Sequence, residues 1–263
     1  MRSALRLLLI LIAFGAGSPA AVADTWTGVY LGGTIGRRTI DAKWETTCLS
    51  DGFPGLSCPD GGFPERLAND NPARLGARDA RFGVYSGAQL QLQNFVLGIE
   101  GDWGHSRSKM TQGGIPGAED PGAPGRFGPD QVTVTAEWDA SVRGRLGFLL
   151  HPATMLYGTG GLAWMKLEAS AFCGLEFNSG GWCSPENIGL TDRTSEIVKG
   201  FTWGFGMESM LTSGVLLRVE YRRAEYGDLR YKFLAERLNN LDAVTAKIET
   251  ETNTVSVGLA YKY

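Results

Sequence analysis

Hydrophobic and polar residues alternate with a two-residue period through much of this chain, most cleanly at its end. Val255, Val257, Leu259, Tyr261 and Tyr263 fall on one face of a strand, and Thr254, Ser256, Gly258, Ala260 and Lys262 fall on the other. The frayed terminus of a soluble domain gains little from apolar side chains. A strand with one face in lipid and the other in a polar lumen needs this pattern over about ten residues.

The same period marks eight segments: residues 26–37, 81–92, 95–105, 132–150, 155–169, 197–211, 215–226 and 248–263. Their connections alternate in length. Residues 41–80, 106–131, 170–196 and 227–247 make long ones, and residues 93–94, 151–154 and 212–214 make short ones. Outer-membrane barrels have short periplasmic turns and long outer loops, whereas a lipocalin-like barrel or a sandwich has no reason to alternate so regularly. The pattern predicts an all-β fold over residues 24–263: an eight-stranded antiparallel up-and-down transmembrane β-barrel with long extracellular loops and short periplasmic turns.

Each strand then sorts into faces. Phe95, Leu97, Ile99 and Trp103 oppose Glu100 and Asp102. Trp138, Val142, Leu146 and Phe148 oppose Asp139, Ser141, Arg143 and Arg145. Phe201, Trp203, Phe205 and Met207 oppose Thr202 and Glu208, and Val215, Leu217, Val219 and Tyr221 oppose Arg218, Glu220 and Arg222. A basic residue at the bilayer midplane costs about 2–4 kcal/mol, which assigns the charges to the lumen. The fifth segment fits either register. With Lys262 included, the acids Glu100, Asp102, Asp139, Glu208 and Glu220 face the bases Arg143, Arg145, Arg218, Arg222 and Lys262. An eight-stranded interior is just wide enough for side chains, so enclosed charges must pair or meet water. Balanced signs predict an ion-paired plug, and a low-conductance porin for small solutes is the alternative.

Aromatic positions fit the same frame. With both termini periplasmic, Phe95, Phe148, Tyr157, Tyr261 and Tyr263 come to the periplasmic rim and Trp103, Trp138 and Trp164 to the outer rim. Two girdles are expected where amphipathic rings anchor at headgroups.

The start of the chain reads as an export leader. Arg2 and Arg6 flank a short basic region, residues 7–14 are uninterruptedly apolar, and Ala21-Val22-Ala23 supplies a small-x-small cleavage pattern, so residues 1–23 are expected to be removed. The apolar run is too short to span a bilayer as a helix. Losing two arginines moves the formal charge from −3 to −5, which argues against nucleic acid as a partner.

The oxidising envelope makes disulfides the expected state of Cys48, Cys58, Cys173 and Cys183. Of three connectivities, the two local bridges are the simplest. A metal reading is weak, because thiols would need histidine partners and the chain has only His105 and His151. The glycine-rich residues 28–36 and 158–161 lead into no helix with a ribose-binding acid, so no cofactor site follows. Near His105, the residues Ser106 and Ser108 lie at odd offsets, whereas a nucleophile and its base must share a strand face. No catalytic residue is assigned.

Local phrases narrow the class. Trp26-Thr27-Gly28-Val29-Tyr30-Leu31-Gly32-Gly33 opens the exported part, and Phe95-Val96-Leu97-Gly98-Ile99-Glu100-Gly101-Asp102 follows the first short turn. Ser141-Val142-Arg143-Gly144-Arg145-Leu146-Gly147-Phe148 leads into Leu156-Tyr157-Gly158-Thr159-Gly160-Gly161-Leu162-Ala163, and Glu220-Tyr221-Arg222 precedes Tyr226-Gly227. In this order they resemble the porin-family outer-membrane protein β-barrel domain, small eight-stranded barrels related in shape to the OmpA transmembrane domain, here without a peptidoglycan-binding domain. The terminal Leu259, Tyr261 and Tyr263 also resemble the signal read by the barrel-assembly machinery of Gram-negative bacteria. The resemblance implies residence in the outer membrane among phospholipid and lipopolysaccharide. It implies a non-enzymatic structural role in envelope integrity, with loops that in relatives serve host contact or haem binding. The glycine- and proline-rich residues 52–64 and 113–129 are where an unknown extracellular ligand would bind.

Overall fold

A computed structural model describes residues 26–49, 71–117, 130–174, 188–234 and 243–263. The export leader, Cys58, Cys183 and most of the two glycine- and proline-rich segments lie outside the described residues. Eight strands follow one another: β1 Gly28–Leu49, β2 Ala73–Leu92, β3 Phe95–Gly113, β4 Gln131–His151, β5 Thr154–Phe172, β6 Thr191–Thr212, β7 Val215–Phe233 and β8 Val244–Lys262. Each pairs antiparallel with the next, and β8 returns to β1, where Tyr30 faces Lys262 and Leu49 faces Val244. The periodicity thus gives the architecture correctly. Tight turns at residues 93–94, 152–153 and 213–214 share one end with Trp26 and Tyr263. Gly214 takes a φ of 90° there, a conformation glycine adopts without strain.

Around the turn end the exterior is an apolar band. Val29, Leu31 and Ile35 of β1, Phe82 to Leu92 of β2, Phe95 to Trp103 of β3 and Val255 to Tyr263 of β8 all present exposed side chains at alternate positions, Ile35 being 57% exposed and Leu259 55%. About nine residues per strand belong to this band, the length that crosses a bilayer. Exposed apolar surface on this scale, closed into a ring, is stable only against lipid.

The strands do not stop where the band stops. At 19 to 22 residues they are about twice the spanning length. β1 runs to Leu49 rather than residue 37, β2 begins at Ala73 rather than 81, and β3 reaches Gly113 rather than 105. β6 begins at Thr191 rather than 197, and β7 reaches Phe233 rather than 226. Much of what alternation assigned to long loops is therefore strand. The reason is an inversion of polarity. Beyond the band Arg37, Asp41, Lys43 and Glu45 face outward, while Ile40, Ala42 and Trp44 are buried inside.

That inner face builds a second core of soluble type. It joins Ile40, Trp44, Leu75, Tyr226, Leu229, Phe233 and Ile248 to Met110, Val132, Val134, Met165, Leu167 and Ala169, with Trp44 stacked on Phe233 at 5.2 Å. Two ladders end as it begins: β2 pairs with β3 only as far as Phe82 and His105, and β6 with β7 only as far as Gly200 and Tyr226. The other ladders continue, β1 with β2 to Trp44 and Ala73, and β7 with β8 to Phe233 and Val244. Beyond the band the ring therefore divides into two four-stranded sheets, β7-β8-β1-β2 and β3-β4-β5-β6, packed over a shared core. Bulges between His105 and Ser108, Ala136 and Asp139, and Tyr226 and Leu229 lie at this junction, where strands must bend and re-aim side chains.

Candidate functional site: the charged lumen

Within the band, inward positions carry the charge. Glu100 and Asp102 come from β3, Asp139, Arg143 and Arg145 from β4, Glu208 from β6, and Arg218, Glu220 and Arg222 from β7; all these side chains are buried. Glycine opposite them makes room. A Cβ on Gly206 would sit 2.6 Å from the Tyr157 hydroxyl, and one on Gly104 would fall on the guanidinium of Arg81.

The lower layer centres on Glu100. Its carboxylate accepts from Arg143 at 2.7 Å and from Arg218 at 2.6 and 3.0 Å, and the Tyr30 hydroxyl donates to it at 2.7 Å. Arg218 also reaches Glu208 at 2.9 Å, which Arg145 meets at 2.8 Å. Arg143 extends to Glu220 at 2.9 Å, and Tyr157 donates to the same carboxylate at 2.9 Å. The Arg145 and Arg218 guanidinium groups lie over the rings of Tyr157 and Tyr85, at 3.9 and 4.1 Å from the centroids.

The upper layer centres on two aspartates. Arg222 meets Asp102 at 2.7 Å and Asp139 at 2.5 Å, and Arg81 meets each of them at 2.7 Å. Ser141 donates to Asp102. Arg38 donates to Asp139 at 3.0 Å and then to the Ser106 carbonyl at 2.9 Å and Ser108 Oγ at 3.2 Å. It thereby satisfies a β3 carbonyl at the level where β3 parts from β2. The two layers join through Arg143, 3.7 Å from Asp102.

Four sequence readings change here. Lys262 is on the inward face at the turn end, partly exposed and in register with Tyr30. Arg38 and Arg81, unassigned in the sequence, take part in it. Asp79 faces Arg38 in register on the inner side but makes no ion pair with it, and its buried Oδ2 has no hydrogen-bond partner. Tyr157 is not a rim aromatic: β5 turns Met155, Tyr157 and Thr159 inward, which resolves its register. The charged side chains leave a void of about 10 Å³ beside Arg81, Asp102, Arg143, Arg218 and Arg222, room for about one water molecule. Below them Trp26, Val96, Met155 and Leu216 form an apolar floor, with the Trp26 indole N–H donating to the Pro152 carbonyl at 3.0 Å.

The remaining candidates are distributed as follows. Trp103 and Trp164 both face outward and both pair in register with Ala140; Trp138, half-buried, pairs with His105. They mark the upper edge of the band rather than the ends of the strands. Phe95 and Phe148 pair near the turn end, rings edge-on at 5.4 Å, and Leu259, Tyr261 and Tyr263 face outward there. His105 is exposed outside while Ser106 and Ser108 are buried inside, so the structure does not bring them together. Cys48 and Cys173 are each disulfide-bonded.

An apolar belt closed around a charged lumen defines an outer-membrane β-barrel. The chain matches the family described as outer membrane protein beta-barrel domain over residues 7–263, and it belongs to that family. It is 30% identical over 256 residues, 93% of this chain and 87% of the relative, to the 31 kDa outer-membrane immunogenic protein of Brucella melitensis. It is 29% identical to the 25 kDa outer-membrane immunogenic protein of Brucella abortus over 70% of this chain, and spans 66% of that relative's length. The outer membrane protease OmpT of Escherichia coli aligns with a TM-score of 0.51 over 94% of this chain and 99% of its own, at 11% identity, a likeness of fold alone. The protein is thus placed in the outer membrane of a Gram-negative envelope.

Proposed function

We propose that this protein is a non-enzymatic structural barrel that strengthens the envelope and holds its surface loops on a rigid platform above the bilayer. The observation that carries the reading is a lumen filled along its whole described length, by the apolar floor, the two ionic layers and the outer apolar core in turn. Strands of about 20 residues tilted by about 40° stand roughly 50 Å tall, against an apolar band of about 25 Å. The outer half is thus a stalk that raises the connections between strands clear of the headgroups. The relatives' designation as outer-membrane immunogenic proteins supports surface display.

Planar-bilayer recording of the refolded chain tests the closed lumen. The native chain is expected to give no unitary conductance steps, and Arg143→Ala, which removes the link between the two layers, at most irregular leak. Uniform native steps whose amplitude changes with Arg143→Ala would establish a pore.

A further inference from the structure

The guanidinium groups of Arg81, Arg143, Arg218 and Arg222 line the void of about 10 Å³ in the lumen, together with the carboxylates of Asp102 and Glu220. Both carboxylates are already engaged. Asp102 accepts from Arg81, Arg222 and Ser141, and Glu220 accepts from Arg143 and Tyr157, so every oxygen of the two holds at least one donor. What the lining has left over is donors. The Arg143 Nε–H, the Tyr85 hydroxyl and the Thr254 hydroxyl are buried and have no hydrogen-bond partner among the described residues. Tyr85 and Thr254 are each only 2% exposed, so bulk water does not serve them.

Charge runs the same way. Arg38, Arg81, Arg143, Arg145, Arg218 and Arg222 share five carboxylates in the lumen ion pairs, those of Glu100, Asp102, Asp139, Glu208 and Glu220. The remaining inward acid, Asp79, makes no ion pair among the described residues and does not line the void. A water molecule there would bring two more O–H donors to a place whose carboxylates are already occupied. A monatomic anion accepts from all three groups at once and offsets guanidinium charge held away from water. The volume sets the size: a halide ion, close to a water molecule in bulk, fits, whereas phosphate and sulfate do not.

We propose that the void is a halide site, in which chloride is held by the Arg143 Nε–H and by the hydroxyls of Tyr85 and Thr254, with the guanidinium groups of Arg81, Arg218 and Arg222 around it. These six residues stand on β2, β4, β7 and β8, which come together around one lumen only when the ring is closed. The ion is therefore bound by the closed barrel and not by the unfolded chain, and it stabilises the fold by mass action. The site rests on the lumen being a filled plug. Bilayer recording reads the plug and diffraction reads the ion, so either can fail without the other.

The test uses the full refolded chain in detergent, crystallised from sodium bromide for anomalous diffraction at the bromine edge. Urea unfolding in sodium chloride, against sodium gluconate at equal ionic strength, supplies the solution arm. The native chain should show a bromide peak in the void, within hydrogen-bond reach of Arg143 Nε, Tyr85 Oη and Thr254 Oγ1. Above the dissociation constant, its folding constant should rise about tenfold for each tenfold rise in chloride, the limit for one ion bound per barrel. Tyr85→Phe/Thr254→Val keeps the ring beneath Arg218 and the bulk on β8 while removing two of the three donors. It should lose the peak, and its stability in chloride should match that in gluconate. Three results would each overturn the proposal: water in the void with no anomalous signal, a peak undiminished in the double variant, or a peak in the crystal with no chloride dependence in solution, which is an adventitious ion only. Both arms on the native chain stand without any variant folding.

Discussion

Arg218 shows what the sequence could and could not say about a single side chain. Its assignment to the lumen followed from alternation with Val215, Leu217 and Val219. Only one of its partners followed as well: Glu208 faces it in register across the β6–β7 hairpin, whereas Glu100 and the Tyr85 ring come from β3 and β2 and are brought to it by closure of the barrel. Arg38 and Arg81 were missed for a related reason. Arg38 lies just past the predicted end of the first segment at residue 37, where the apolar residues have moved to its own face with Ile40, and Arg81 opens the second segment with only Gly83 next to it on its face, so neither stands in a run of inward charges. Lys262 satisfied the alternation and sits at the turn end of the lumen, because parity fixes a face and not a depth. The network makes a sharp prediction. Arg218→Ala leaves Glu100 and Glu208 short of a buried counter-charge and should lower stability by about 3–5 kcal/mol. Lys166→Ala, which breaks a half-exposed pair with Glu137, should cost less than about 1 kcal/mol. Urea unfolding in detergent, followed by the shift between folded and unfolded bands on gels, measures both; equal losses would show that the lumen contacts are weak.

At the scale of elements, the number and order of strands were legible and their lengths were not. Alternation with the apolar face outward is a signal of lipid, and it ends where lipid ends. In β1 the pattern persists through Trp44 with its sense reversed, apolar residues moving to the even, inward positions while charges take the odd ones. In β4 and β7 the bulges at Ala136/Asp139 and Tyr226/Leu229 change the parity itself, so a search for one continuous period stops there. The short turns, by contrast, were read to within about two residues because nothing but a hairpin fits between apolar strands so closely spaced. Trp44 tests the outer core. It is fully buried and stacked on Phe233, and Trp44→Ala should cost that core about 3–5 kcal/mol. The band and its ionic lumen lie below and do not touch Trp44. Limited proteolysis of the folded variant is expected to cut the outer section rapidly while the membrane part keeps its folded mobility. Loss of the entire fold, or resistance equal to the native chain, would show that the two sections are not separate packing units.

The whole molecule is one continuous set of strands with opposite polarity in its two halves: apolar outside and charged inside across the bilayer, polar outside and apolar inside above it. Ring closure removes sheet edges where lipid could not satisfy them. Above the bilayer, where water can, the ring parts into two sheets. The most direct measurement of this arrangement is a spin-label scan along β8, with single cysteines placed from residue 244 to 262 in the non-reduced, membrane-reconstituted chain and collision rates taken with oxygen and with a water-soluble nickel complex. Labels at alternate positions should be immobile and shielded throughout, and the outward ones should collide with oxygen from residue 255 to 261 and with nickel from residue 245 to 251, the exchange falling near Asn253. Mobile labels without alternation across residues 244–252, or oxygen contact continuing to residue 245, would contradict the two-part barrel.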